Sequence, residues 1–377
     1  MLFAKKKDSS NIPSNEIFGI LVHLTNPFEP QGRIGENYFS AFDSKNGLIH
    51  ELIALAEKNY VLSLLLSNIF SMEDVPQSIH NKLEQKYEYK TRYHKAVKCG
   101  VQEVVQTLRF KNIDHVLIKT LRPFIDDVSD IDILVPYKTS FTFLAKTFKQ
   151  KGYKETGERE FTYKMKMERR IRTERHQYRI VIDFYRALAE QGLIFTDHEA
   201  VFKRRHKYIL NGLEVDVPSN EDSLLMTTAD AFFGKGLATL RDAYDILNLL
   251  RTNLNINYVC DTARRFGWFD GLCSVVHFLD VLKDYMTFDS SQTNTIAHIL
   301  REESKKFQTI SGWLYTKRVP KTFPAWYPFE WYVYTLLRKA FSDQKTASIP
   351  RLGVKTPWAW NARKIIGGRI RYGHLVK

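Results

Sequence analysis

The sequence predicts an α+β protein, a small mixed β-sheet core flanked by helical N-terminal and C-terminal regions. Three observations predict it. Residues 46–111 repeat apolar side chains at helical spacing. Residues 112–217 change to short β-branched runs with strand alternation, closed by an Asn211-Gly212 hairpin signal. After Pro218 the helical spacing returns. A chain of 377 residues, 44% hydrophobic and 26% charged, exceeds what one core usually holds and is too apolar for wholesale disorder.

Each element follows in order. Residues 1–45 read as an irregular segment with scattered Pro and Gly, in which Ile17–Leu24 has the composition of a strand. Asn46–Ala56 and Tyr60–Phe70 read as helices, and Val75–Gln106 as one or two longer amphipathic helices ending near Phe110. Val116–Lys119 and Ile131–Val135 are short strands, and Pro136 closes the second before a helix over Ser140–Gln150. Phe161–Met167 and Tyr178–Tyr185 read as paired strands joined by the basic segment Glu168–His176. Lys207–Leu210 and Leu213–Val217 form the Asn-Gly hairpin. Ser219 is placed to cap a helix from Asp222 to Lys235, with Asp222 completing a capping box. Further helices span Ala238–Leu250, Val259–Phe266 and Phe269–Tyr285. Together these give a helical domain over 218–312 and a tail over 313–377 that holds five of the six tryptophans.

Charge is unevenly placed. Lys and Arg number 56 against 42 Asp and Glu, a net +14. Arg301–Lys377 carries +12 and Arg159–Arg179 carries +5, which leaves the remainder slightly negative. Two basic regions on a near-neutral body suit a polyanionic partner such as RNA, nucleotide phosphates or an anionic membrane surface. The tail has three readings: packing on the body, stacking bases beside phosphate contacts, or resting at a membrane interface. No uncharged run approaches the ~20 residues of a spanning helix. The N-terminus lacks the apolar stretch of a secretory signal. Cys99, Cys260 and Cys273 form neither a zinc spacing nor a disulfide framework. These features together suggest a cytoplasmic protein.

The segment Ser129-Asp130-Ile131-Asp132-Ile133-Leu134-Val135 carries the chemistry. On a strand, Asp130 and Asp132 share one face about 6–7 Å apart while Ile131 and Ile133 face the other. Side-by-side carboxylates repel unless a cation sits between them, and magnesium suits an all-oxygen site. Asp183, within the apolar run Ile180–Phe184, is the candidate third carboxylate. A structural alternative has Asp130 capping the strand, Asp132 facing solvent and Asp183 paired with an arginine. Asp126 and Asp127 read as a solvated loop. Lys235 and Arg241 are secondary phosphate-binding candidates, and Arg241 has Asp245 at i+4 as an alternative partner. Arg169, Arg170 and Arg172 sit in the basic segment, either as a substrate clamp or as a solvated loop.

This pattern resembles the nucleotidyltransferase superfamily that includes DNA polymerase beta and the aminoglycoside nucleotidyltransferases. It is similar, more narrowly, to an uncharacterised bacterial and archaeal nucleotidyltransferase-like family. The matches are Ile118-Lys119-Thr120 at the end of a strand, Asp130–Val135, Ile182-Asp183-Phe184-Tyr185, and Leu240-Arg241-Asp242 with Asp245, over about residues 46–250. The resemblance implies transfer of a nucleoside monophosphate from a nucleoside triphosphate to an acceptor hydroxyl. Two Mg²⁺ ions would be held by Asp130, Asp132 and Asp183, with the triphosphate bound by Lys119, Thr120, Arg122, Ser129, Lys235 and Arg241. The acceptor it allows is RNA such as tRNA, or a small molecule or sugar. The sequence departs from the family at the turn, where Lys119-Thr120 replaces a glycine that would let backbone amides approach phosphates. A catalytically degenerate nucleotide- or RNA-binding protein is therefore the rival reading.

Overall fold

The computed structural model describes residues 14–28, 46–125, 127, 130–156, 163–172, 176–190, 193–235, 237–279, 282, 285–286 and 325–326. The central sheet has five strands: β1 (Val116–Ile118), β2 (Asp130–Leu134), β3 (Lys154–Glu155), β4 (Lys164–Arg172) and β5 (Gln177–Tyr185). Their order is β1-β2-β5-β4-β3, with β2 and β5 parallel and every other pair antiparallel. A parallel pair needs a long crossover. Here the helix over Phe141–Lys149 and strands β3 and β4 supply it.

Strand alternation divides the sheet into two faces. Ile131 and Ile133 of β2 and Ile180, Ile182 and Phe184 of β5 belong to one core. The 34-residue helix Gln77–Phe110 covers this face with Val97, Val101, Val104, Val105 and Leu108. Phe141, Leu144, Ala145 and Phe148 of the shorter helix, whose N-cap Ser140 accepts from the Phe143 N–H, join them. The long helix meets the sheet at Gly100, where a Cβ would stand 3.0 Å from Ile180 Cγ2 and 3.1 Å from Ile131 Cδ1. The packing there excludes a side chain, so Gly100→Val is expected to lower stability by about 1–3 kcal/mol. Denaturant unfolding checks this, and an unchanged midpoint would place the helix farther from the sheet.

The opposite face contributes only Val116, Ile118, Leu134 and Tyr185 to a second core. That core is built largely of the helices Ser14–Thr25, Asn46–Lys58, Leu62–Ser71, Asn220–Ala229, Leu240–Leu250, Ile256–Arg265 and Phe269–Phe278. The helices therefore cover β1 and the ends of β2 and β5. They leave the outer half of β4 and β5 exposed at Arg170, Arg172 and Arg179.

Ile17–Leu24, expected as a strand within an irregular segment, lies in the helix Ser14–Thr25. A short apolar run fits either period, and here a helical face with Ile17, Phe18, Leu21 and Val22 is buried in the second core. Thr25 Oγ1 anchors the helix end by donating to the Leu21 carbonyl and contacting the Tyr244 hydroxyl at 2.9 Å. The basic segment expected as a linker is mostly strand, since β4 runs on to Arg172. The Asn-Gly hairpin forms as expected between β8 (His206–Leu210) and β9 (Leu213–Val217), with Asn211 and Gly212 both at positive φ. Strands β6 (Ala189–Glu190) and β7 (Leu193–Ile194) make a small ribbon after β5. The basic tail lies outside the described residues except for β11 (Ala325–Trp326), which pairs with β10 (Leu237–Ala238).

Candidate functional site

In the parallel β2–β5 register Asp132 stands opposite Asp183, and Asp130 opposite Val181. Partners in register and alternate residues share a face. The three carboxylates therefore stand together on the face away from the long helix. Asp183 is 1% exposed, while Asp130 and Asp132 are partly buried.

Two lysines that sequence reasoning missed neutralise this group. Lys164 and Lys166 of β4 lie opposite Tyr185 and Asp183. Lys164 Nζ is 2.7 Å from Asp183 Oδ2, donates to the Tyr185 hydroxyl at 2.8 Å and lies over the Tyr185 ring. Burial alone would lower its pKa, but Asp183 and Glu190 hold it above the ordinary lysine value. Lys166 Nζ reaches both Asp130 Oδ2 at 3.4 Å and Asp183 Oδ1 at 3.7 Å, which puts those two oxygens within about 7 Å of each other. The signal was in the sequence: Lys164, Lys166, Glu168, Arg170 and Arg172 recur at the strand period.

The turn after β1 takes the shape a glycine would give it. Lys119 has φ +54°, in the left-handed region. Thr120, 5% exposed, fastens the turn: its hydroxyl donates to the Ile118 carbonyl at 3.0 Å and accepts from the Asp132 N–H at 2.8 Å. The Lys119 ammonium lies 3.0 Å from Glu190 Oε1 and 3.6 Å from Asp230 Oδ1. Burial would lower its pKa, yet these carboxylates and Asp132 raise it well above the usual value.

The remaining phosphate-binding candidates continue this ionic chain. Asp230 and Lys235 bound a π-helical turn, a feature often found at functional sites. Lys235 Nζ lies 2.9 Å from Asp230 Oδ2 and 2.8 Å from Asp242 Oδ1. Burial would raise Asp230, but Lys235 and Lys119 hold it far below the usual carboxylate range. Arg241 lies 3.6 Å from Asp242 and 4.8 Å over the Tyr60 ring. Asp245, the partner weighed for Arg241, instead pairs with Arg122 at 3.3 Å and accepts from Thr227 Oγ1. Glu190 and Asp230 carry no local signal of this role, because only the fold brings the β6 ribbon and the π-helical turn to Lys119. Every one of these four cations has a carboxylate partner, so a triphosphate bound here must share or displace one.

Other candidates separate. Arg169 points into the opposite face, donating to Glu103 at 2.9 Å and lying over Tyr153, away from the carboxylates. Arg170 and Arg172 share the face of Asp183. Ser129 and Asp126 lie outside the described residues. Asp127, expected in a solvated loop, is partly buried and caps a helix in trans. It accepts from the Leu62 N–H at 2.8 Å and from Ser63 Oγ and Lys90 Nζ at 2.6 Å, where Val61 offers no side-chain cap. The loop leading into β2 is thereby tied to the N-terminal helices.

The donor set is hard and all-oxygen, and Asp183 Oδ1 is buried with no hydrogen-bond partner, which fits a divalent cation. Among the described residues, however, no three His, Cys, Asp or Glu side chains are gathered at a spacing that would hold a metal. A cation drawing Asp130 and Asp183 together would have to move Lys166 from between them. Burial, then Asp183 and Asp130, push the Asp132 carboxyl up to about 7 against the pull of Lys119. Between an ordinary carboxylate pKa and that value the folded chain holds a proton that the unfolded chain has released. Stability should therefore fall as pH rises through about 4 to 7, with the loss complete above 7. Thermal unfolding across this range in chelator checks it, since Asp132→Asn should flatten this part of the profile.

No helix among the described residues is long and apolar enough to cross a membrane. No curated protein matches the sequence. The crystal structure of JHP933 from Helicobacter pylori aligns with 59% of this chain and 95% of its own, at 14% identity and a TM-score of 0.30. The profile of a family described as an uncharacterised nucleotidyltransferase matches residues 46–283, which take in the whole sheet, the carboxylate face and the ionic chain behind the Lys119 turn. More than half of the sequence lies within that match, and the chain belongs to this uncharacterised nucleotidyltransferase family.

Proposed function

We propose that the protein is a Mg²⁺-dependent nucleotidyltransferase. The observation that carries this reading is the opposition of Asp132 and Asp183 in parallel register, with Asp130 on the same face. An acceptor hydroxyl oxygen bonds to the α-phosphorus of a nucleoside triphosphate, the bond to the bridging oxygen breaks, and pyrophosphate leaves. Asp183, the most buried of the three, takes the hydroxyl proton. Asp130, Asp132 and Asp183 would hold magnesium, which supplies neutralising positive charge at the transferred phosphoryl group. Lys119 and Lys235 hold the anionic phosphates, and Thr120 keeps the turn that presents Lys119.

A second reading has its own observation. Lys164 at 2.7 Å from Asp183 already gives the carboxylates a counter-charge, as a metal-free nucleotide-binding protein would require. Two measurements separate them. Each α-labelled nucleoside triphosphate is incubated with magnesium and an RNA or metabolite extract, and transfer predicts a labelled product. Calorimetric titration of nucleotide with and without magnesium gives equal affinities only for the metal-free binder.

A further inference from the structure

The two ammonium groups on the carboxylate face are held differently. Lys164 is fixed. Its Nζ stands 2.7 Å from Asp183 Oδ2, donates to the Tyr185 hydroxyl at 2.8 Å and lies 4.7 Å from the centre of the Tyr185 ring, itself only 3% exposed. Lys166 is held loosely. Its Nζ hangs between Asp130 Oδ2 at 3.4 Å and Asp183 Oδ1 at 3.7 Å. Both distances exceed the roughly 2.7–2.9 Å of a strong charge-assisted hydrogen bond. Asp183 therefore has two unlike oxygens. Oδ2 is taken by Lys164, while Oδ1 is buried and has no hydrogen-bond partner among the described residues.

A divalent cation suits the gap between Asp130 and Asp183 better than an ammonium group does. It brings twice the charge to oxygens that Lys166 meets only at long range. Magnesium also keeps several of its waters, so it can bind one of these oxygens directly and reach the other through a bound water. Lys166 is free to leave. Its side chain is 36% exposed, and Glu168, the next residue of β4 on the same face, is already paired with Arg179 at 2.6 Å. A Lys166 ammonium released from the two aspartates is therefore available to an anion.

We propose that Lys166 is an exchangeable counter-ion: a divalent cation takes its place between Asp130 and Asp183, and the released ammonium group holds the phosphate of the incoming substrate. This rests on the magnesium-dependent reading above and adds the residue that sets the affinity for the cation. Lys164 stays where it is, because its departure would leave the buried Asp183 Oδ2 without a partner. The carboxylates are thus neutralised at every stage, first by two ammonium groups and then by Lys164 with the cation. Cation and phosphate bind with positive coupling, since each is favoured once Lys166 has left the carboxylates.

The test uses the full chain, with manganese in place of magnesium so that bound ion is counted by its electron paramagnetic resonance signal. Lys166→Gln should bind manganese at least about fivefold more tightly, the effect of removing a unit charge ~4 Å away even in bulk water. Lys166→Arg keeps the competing charge and should stay near the wild-type affinity. Acetylation of lysines, read by mass spectrometry, follows the exchange itself. Manganese should raise the labelling of Lys166 and leave that of Lys164 unchanged. Inorganic pyrophosphate, added with manganese in excess, should lower the Lys166 labelling again. The proposal is overturned if Lys166→Gln binds manganese no more tightly than the wild type, if manganese leaves Lys166 labelling unchanged, or if pyrophosphate gives no protection. A chain that binds no manganese overturns the exchange and the magnesium dependence together. Exchange with no labelled product from any triphosphate keeps the proposal and removes the transfer reading. Labelled product from a chain whose Lys166 is indifferent to manganese does the reverse.

Discussion

Asp132→Asn is expected to slow nucleotidyl transfer by a hundredfold or more while making the metal-free protein more stable at alkaline pH. The two effects have one source. Asp132 lies opposite Asp183 in the parallel pair and two residues from Asp130, so three negative charges share a small, partly buried surface. That crowding raises the Asp132 carboxyl to about 7 and destabilises the fold once the proton is lost. Asparagine has nearly the same shape and keeps the backbone N–H that donates to Thr120 Oγ1, so β2 and the Lys119 turn remain in place. It removes the repelling charge, and with it an anionic donor for the ion that neutralises the transferred phosphoryl group. On the order of 3 kcal/mol of transition-state stabilisation lost corresponds to about a hundredfold in rate. Opposite signs in the two readouts separate this from simple unfolding, which lowers both. A variant that transfers nucleotide at the wild-type rate removes Asp132 from the site.

The carboxylate strand and the Asn-Gly hairpin were legible because each is specified locally. Alternation places Asp130 and Asp132 on one face whatever the partner strand, and Asn211-Gly212 fixes its own turn. Helix boundaries from Asn46 to Arg265 fell within a few residues for the same reason. The segment Ile17–Leu24 was not legible, since its apolar run suits either period and only burial against Tyr244 and its neighbours decides. Asp127 was missed because its role, capping the helix that begins at Leu62, depends on a contact across 65 positions of chain. The same holds for Lys119, whose partners Glu190 and Asp230 arrive from a ribbon and a π-helical turn much later in the sequence. Lys164 and Lys166 form an intermediate case. Their alternation was visible, but that they face Asp183 follows only from the β4–β5 register.

Lys119→Gly is expected to destabilise the protein by about 2–4 kcal/mol. The backbone considered alone predicts the opposite. Lys119 sits at φ +54°, where a side chain costs on the order of 1 kcal/mol and glycine nothing. Against this stands the ammonium group, 3.0 Å from Glu190 and 3.6 Å from Asp230, with 10% of its side chain exposed. Removing one member of a buried ionic group leaves the others uncompensated, at about 3–5 kcal/mol. The electrostatic loss is therefore larger than the steric gain by a factor of a few. Glu190→Gln in the glycine background should recover part of the loss, because it removes the carboxylate that the ammonium had matched. Denaturant midpoints of the two variants decide between the effects. If the single variant is as stable as the wild type, the turn is governed by its backbone alone and the ionic group of Lys119 does not hold the sheet to the helices. If it is unstable and Glu190→Gln rescues it, the lysine at this left-handed position is explained by its ionic partners. The sequence has kept the left-handed backbone and used its side chain to join the sheet to the helices behind it.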